Sequence, residues 1–320
     1  MLQALVSSAT QFLTDVNQSL FRTRGSVSPT AVSASHSQPR YRSLRRLRLT
    51  DGVARTLFDE YAAHRAEARG DEEIGWVLLG LRDSEEAVVL ATLPAGAERD
   101  ASAAHIQFNS MAQALGSRIV RQTDKRLTML GVVHTHPGSL RHPSDADFHG
   151  DSEWVKNLRG SEGVFGIGTA DASAGPDPLF AHQPRPHVQC LGPLRMTWYS
   201  LRFGDKSYRP LPLELTIGPD LARPLHELWP TVEAHAERLD RLARQQAGLT
   251  FEVSADNGSP ELAAAIALAE PGDALRVLLK GPEVRYFLAR DGQVLAAQQD
   301  EPRVDRGVYL LLADLAARSS

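Results

Sequence analysis

Apolar residues recur along the chain in two rhythms. Short compact runs, some alternating, predict strands at Leu47–Thr50, 74–80, 86–93, Leu127–His134, Val164–Thr169, Val188–Leu191 and Arg195–Phe203. Spacings near four predict helices over 52–68 (Val53, Leu57, Phe58, Tyr61), Phe108–Thr123 (Met111, Leu115, Ile119), Asp147–Leu158 and 220–246. Asp51 is placed to cap the first of these helices. The turn between Asp83 and Glu86 suits a hairpin, and 171–187, rich in Pro, Gly, Asp and Ser, reads as a long loop. Further on, the pattern predicts a helix at 260–269, strands near 274–279, 284–289 and 292–297, and a last element at 306–314.

Three segments emerge. Residues 1–43 read as a short amphipathic helix (Leu2, Leu5, Phe12, Val16, Leu20) and a linker rich in Ser, Arg, Gly and Pro. Residues 44–205 carry the densest strand pattern, and 216–320 form a small α+β accessory region. A total of 320 residues suits two domains plus tails. Composition adds mostly exclusions. There is no apolar run near the roughly 18 residues of a spanning helix and no export signal, so a cytoplasmic, membrane-free protein is expected. One cysteine, Cys190, rules out an intrachain disulfide and a thiolate-rich metal site, and reads as a small core residue. A net charge of -4 implies no nucleic-acid partner. The basic stripe Arg40, Arg42, Arg45, Arg46 and Arg48 is interrupted by Leu44 and Leu47, and reads as a solvated strand face.

The chemistry sits in Gly131-Val132-Val133-His134-Thr135-His136-Pro137, followed by Ser144-Asp145-Ala146-Asp147. On a strand, residues two apart face the same way, so His134 and His136 project together and Thr135 points away. Pro137 ends the ladder. Ser144 is placed to cap the next helix, with Asp147 in its first turn completing a triangle with the imidazoles. Two imidazoles and a carboxylate suit Zn2+ with one position left for water. A carboxylate near that water must take its proton; Glu73 and Glu72 compete, and opposite side-chain directions let only one reach the site. Ser144 is a candidate oxyanion donor. His142 and His149 flank the motif and read as exposed; His105, His182 and His187 have no companion at ligand spacing.

With the spacing His-x-His-Pro, then Ser-x-x-Asp, this stretch resembles the JAMM metalloprotease family, also called MPN+ or JAB domains. The family glutamate, counted back from Gly80, falls on Glu73; Trp76 stands where a small residue is usual. The resemblance covers about residues 44–200. It implies an α/β fold, a curved mixed β-sheet flanked by helices and similar to cytidine deaminases, with the C-terminal α+β region outside it. It also implies His134, His136 and Asp147 as zinc ligands, Glu73 as general acid/base and Ser144 as oxyanion support. Family members cut isopeptide or peptide bonds, often after the tail of a ubiquitin-like protein, which implies such a protein or its conjugates, and E1/E2-like conjugation enzymes, as partners. Other readings are a peptidase or small-amide hydrolase without such a partner, and a noncatalytic protein-binding scaffold. Oligomeric state is not encoded in any of these patterns.

Overall fold

The computed structural model describes residues 41–96, 101–102, 105–106, 109–172, 180–256, 259–290 and 293–318. The helix and linker expected over residues 1–40, with Arg40, lie outside them, and so does the side chain of His105. The described chain divides into two compact units, one built from residues up to Ser110 and Arg126–Arg223, the other from Met111–Lys125 and the chain from Pro224 onward.

The first unit is an α/β fold around a curved, mixed sheet of ten strands. It begins with β1 (Arg46–Thr50), α1 (Asp51–Arg65), β2 (Gly75–Arg82) and β3 (Glu86–Pro94), then a short ladder of β4 (Ala101–Ser102) and β5 (His105–Ile106). After α2 (Ser110–Val120), which from Met111 on belongs to the second unit, the first unit resumes with β6 (Thr128–Thr135), α3 (Asp145–Trp154), β7 (Glu162–Thr169), β8 (His182–Arg185), β9 (Val188–Leu191), β10 (Leu194–Arg202), β11 (Arg209–Pro210) and β12 (Leu213–Thr216). The order across the sheet is β12-β1-β3-β2-β6-β7-β10-β9-β8, with β11 paired to β10. Leu47, Leu49, Leu57, Trp76, Leu78, Val133 and Trp198 make the core beneath it.

Most of the elements expected up to residue 246 are present, with four corrections. The cap of α1 is Thr50, whose hydroxyl accepts from the Val53 N–H at 3.2 Å; Asp51 instead accepts from the Gly218 N–H. The expected 171–187 loop includes β8, because those residues find a partner in β9 that no local signal announces. The strand β12 was not expected and pairs parallel with β1. The expected helix over 220–246 is two, α4 (Arg223–His226) and α5 (Trp229–Gln245), since Pro230 lacks the N–H a continuous helix needs there and suits a first turn. The basic stripe is a solvated face whose charges are answered within the chain: Arg42 and Arg45 by Glu85, Arg46 and Arg48 by Glu86 and Glu214. Such exposed pairs contribute little each. Buried charge is rarer: Glu162 is held by Arg82, by Arg209 and by the Leu44 N–H.

What positions the site is an irregularity. Pairing of β2 with β6 slips between Leu78 and Leu79, so Leu130 is the extra residue of a bulge beside Gly131. Gly131 has φ 154°, and a Cβ there would meet the Val164 carbonyl oxygen at 1.7 Å. Glycine is required by that close approach. The slip resets the side-chain phase of β6, after which His134 lies opposite Gly75 and beside Ile167 of the parallel strand β7.

The second unit carries an antiparallel sheet of β13 (Leu249–Asp256), β14 (Ser259–Ala267), β15 (Ala274–Lys280), β16 (Glu283–Arg290) and β17 (Gln293–Ala296), in that order, and ends in α6 (Val304–Arg318). The expected helix at 260–269 is the strand β14. Its Ala-rich run favours a helix locally, but ladders on both sides and burial of Leu262, Ala264 and Ile266 outweigh propensities of a few tenths of a kcal/mol per residue, roughly. The strand β13 was not expected. Among the described residues no helix is long and apolar enough to cross a membrane.

Candidate metal centre

The parallel strands β6 and β7 both end at the site, at Thr135 and Thr169, and ligand crevices of open α/β sheets form outside such carboxyl ends. Thr135 faces away from the site, as expected. Its backbone N–H donates to the Ile74 carbonyl at 2.9 Å and its hydroxyl accepts from the Ile74 N–H at 3.0 Å. The His136 N–H donates to the Gly168 carbonyl. The backbone on either side of the two imidazoles is therefore fixed.

His134 Nε2 and His136 Nε2 lie 3.0 Å apart. Asp147 places Oδ1 3.3 Å from the first and Oδ2 3.5 Å from the second. Tetrahedral zinc with ligand bonds of about 2.0–2.1 Å holds its ligand atoms roughly 3.3 Å from one another, so the triangle fits the ion. The donor chemistry fits too. His136 Nδ1 is 2.8 Å from the Leu140 carbonyl, and a carbonyl can only accept, so the proton sits on Nδ1 and Nε2 presents its lone pair to the site. Among the described residues, His134, His136 and Asp147 are the group whose ligand atoms converge this way, and their geometry is that of a zinc site.

Asp147 is delivered by the start of α3. Ser144 is its cap and the capping box is complete: the Ser144 hydroxyl accepts from the Asp147 N–H, while the Ser144 N–H donates to Asp147 Oδ2 at 2.6 Å. The Ser144 hydroxyl also donates to Oδ2 at 2.8 Å. Burial alone would raise the Asp147 carboxyl, but hydrogen bonding with His134, the His134 charge and the Ser144 N–H hold it far below the ordinary carboxylate range. Burial disfavours the His134 imidazolium, yet the Asp147 carboxylate outweighs it and raises His134.

The two glutamates differ in burial. Glu72 is half-exposed, its carboxylate on Arg69 at 2.5 Å, and its carbonyl accepts from buried His64. Glu73 is buried. Burial raises its carboxyl, the His134 and His136 charges oppose the rise, and the Asp147 charge adds to it. Trp76 is also accounted for: it is buried in the core and its indole donates to Glu60 at 2.7 Å.

The remaining candidates stay outside. His142 and His149 are exposed, and Cys190 is buried, with its thiol pushed up by burial. One group near the site went unnoticed in the sequence. Asp151 accepts from Tyr208 at 2.7 Å and from the Trp154 indole at 3.1 Å, and burial pushes its carboxyl up to about 7. It lies four residues after Asp147, hence on the same face of α3, a spacing that would have revealed it. Arg141, in the loop that follows His136, pairs with Asp171 and accepts from Tyr199 through its carbonyl, and no linear pattern joins the three.

Residues 54–177 match the family model described as prokaryotic homologs of the JAB domain. No curated protein matches the chain. Among solved structures, the chain is similar to the solution structure of protein DSY2949 from Desulfitobacterium hafniense, at 16% identity and a TM-score of 0.36, covering 54% of this chain and 95% of that one.

Proposed function

We propose that this chain, whose residues 54–177 match the JAB-domain model and whose His134, His136 and Asp147 form a zinc triad of the JAMM type, is a metallopeptidase that hydrolyses isopeptide or peptide bonds at the C-terminal tail of a ubiquitin-like protein, with Glu73 as general acid/base and Ser144 as oxyanion donor. The observation that carries the reading is the convergence of His134, His136 and Asp147, with the Glu73 carboxyl buried within reach of their charges. Zinc bound by His134, His136 and Asp147 would polarise the scissile carbonyl and acidify a water. Glu73, its carboxyl raised by burial, is suited to accept a proton from that water and return it to the departing amine. The Ser144 hydroxyl, at the N-terminus of α3, lies where the helix end favours negative charge and donates to the carbonyl oxygen as it becomes anionic; the Ser144 N–H keeps Asp147 in place meanwhile. E1/E2-like conjugation enzymes are the partners such a substrate implies.

The test is incubation of the zinc-loaded chain with a ubiquitin-like protein joined through its C-terminal glycine to a lysine side chain, beside unrelated peptides and beside Glu73→Gln. Release of the intact ubiquitin-like protein by the native chain, and a loss of about a hundredfold or more in the Glu73→Gln form at unchanged zinc content, is the expected result. Equal cleavage of unrelated peptides would reject the ubiquitin-like substrate and leave a general peptidase. Stoichiometric zinc with no hydrolysis of any substrate would favour the binding scaffold.

A further inference from the structure

Between His136 and Ser144 the chain runs through a loop without regular secondary structure, yet this loop supplies the Leu140 carbonyl that sets the tautomer of His136. A side-chain assembly outside the JAMM motif anchors it. Tyr199 of β10 donates its hydroxyl to the Arg141 carbonyl at 2.9 Å. The Arg141 guanidinium donates to Asp171 Oδ2 at 2.7 Å and, more weakly, to the Asp171 carbonyl at 3.5 Å. Asp171 is in turn held through Oδ1 by the hydroxyl of Thr169, a fully buried residue at the end of β7. Next to Thr169, the Gly168 carbonyl accepts from the His136 N–H. The chain of contacts therefore leaves His136 through its side chain and returns to it through its backbone.

We propose that Tyr199, Arg141 and Asp171 are positioning residues for the zinc site, clamping the 137–143 loop so that the Leu140 carbonyl keeps the His136 proton on Nδ1 and Nε2 free to ligate. The inference rests on the reading of His136 as a zinc ligand. An exposed Arg–Asp pair contributes little to stability by itself. Here it fixes the loop at the residue adjacent to Leu140. Released, the loop lets Leu140 withdraw, and a neutral imidazole then has no reason to prefer the ligating tautomer. Asp171 supports the assignment: burial would raise its carboxyl, but Thr169 and Arg141 hold it low, as expected of a carboxylate fixed in one arrangement.

Zinc affinity of the full chain, measured by competition with a chromophoric chelator, tests this without any substrate. Asp171→Asn and Tyr199→Phe should each weaken zinc binding about tenfold, the lower end of what loss of a ligand's supporting hydrogen bond costs. Glu283→Gln, which removes an exposed pair with Arg285 in the second unit, should leave it unchanged. Nitrogen NMR of the zinc-free proteins supplies the readout that mere destabilisation does not move: the native His136 protonated on Nδ1, and a mixture of tautomers in both variants. Native-like affinity in both variants, or weakened affinity with the His136 tautomer unchanged, overturns the proposal. Failure of the native chain to bind zinc overturns the zinc reading itself, and the clamp with it.

Discussion

The two sheets of this protein are built on opposite plans. The ten-stranded sheet mixes parallel and antiparallel pairs, and its registers slip at β2–β3 and at β2–β6. The five-stranded sheet is a plain antiparallel run of consecutive strands with unbroken registers. Among the described residues, convergent metal-ligating side chains belong to the first alone. A regular meander gathers apolar residues on one face and distributes polar ones on the other. A parallel pair flanked by a bulge does more: it ends two strands at one place, re-aims the side chains of one, and leaves the following loop and helix to add a third ligand. The irregularities of the first sheet are therefore the source of its chemistry.

The strongest challenge to this contrast is Asp147→Ala. Loss of the carboxylate should abolish stoichiometric zinc binding and hydrolysis together. It should also remove the rise in melting temperature that zinc gives the native chain, a stabilisation of about 4 kcal/mol at a thousandfold excess over the dissociation constant. A variant that still binds zinc one-to-one, by metal analysis, would mean the ligands lie elsewhere.

Gly307→Ala probes the other side. A Cβ at this position in α6 would meet the buried Tyr286 hydroxyl at 2.0 Å, and that hydroxyl donates to the Glu301 carbonyl. Overpacking of this kind costs about 1–3 kcal/mol. Calorimetry should register the loss while zinc affinity is unchanged. A zinc affinity that falls in step would show that the second unit supports the site.

The smallest expected effect concerns Asp151. Burial, foremost, raises its carboxyl from 3.8 to about 7, against the Tyr208 hydrogen bond and the His134 charge. A carboxyl raised in the folded state binds a proton there that the unfolded chain has already released between about pH 4 and pH 7. Its contribution to stability is therefore full at the acid end and is lost as pH rises through that window. In zinc-free protein, Asp151→Asn should flatten this part of the decline, as urea unfolding across the window would reveal. Identical slopes in the two proteins would reject a protonated, enclosed Asp151.

The site was unusually legible in the sequence because its parts obey short-range rules. Two-residue alternation aimed His134 and His136 together, and the Ser144-x-x-Asp147 spacing is a capping box that places its acid in the first helical turn. Strand direction left only one of Glu72 and Glu73 able to reach the site, and the choice of Glu73 came from its place before the apolar strand and from the count back from Gly80; in the structure Glu73 is buried and Glu72 half-exposed. Less was legible wherever a partner strand or a distant side chain decided. The Ala-rich run in β14 has the local character of a helix, and only its neighbours make it a strand.

The sequence by itself determined the ligand set, the strand and helix that carry it, and the order of most elements, since periodicity, capping and proline act over a few residues. Only the tertiary structure decided that Leu130 bulges beside Gly131, that Asp151 is enclosed by Tyr208, and that Tyr199 and Asp171 reach the loop behind His136. These depend on backbone carbonyls and on residues tens of positions apart, brought together by packing the whole sheet.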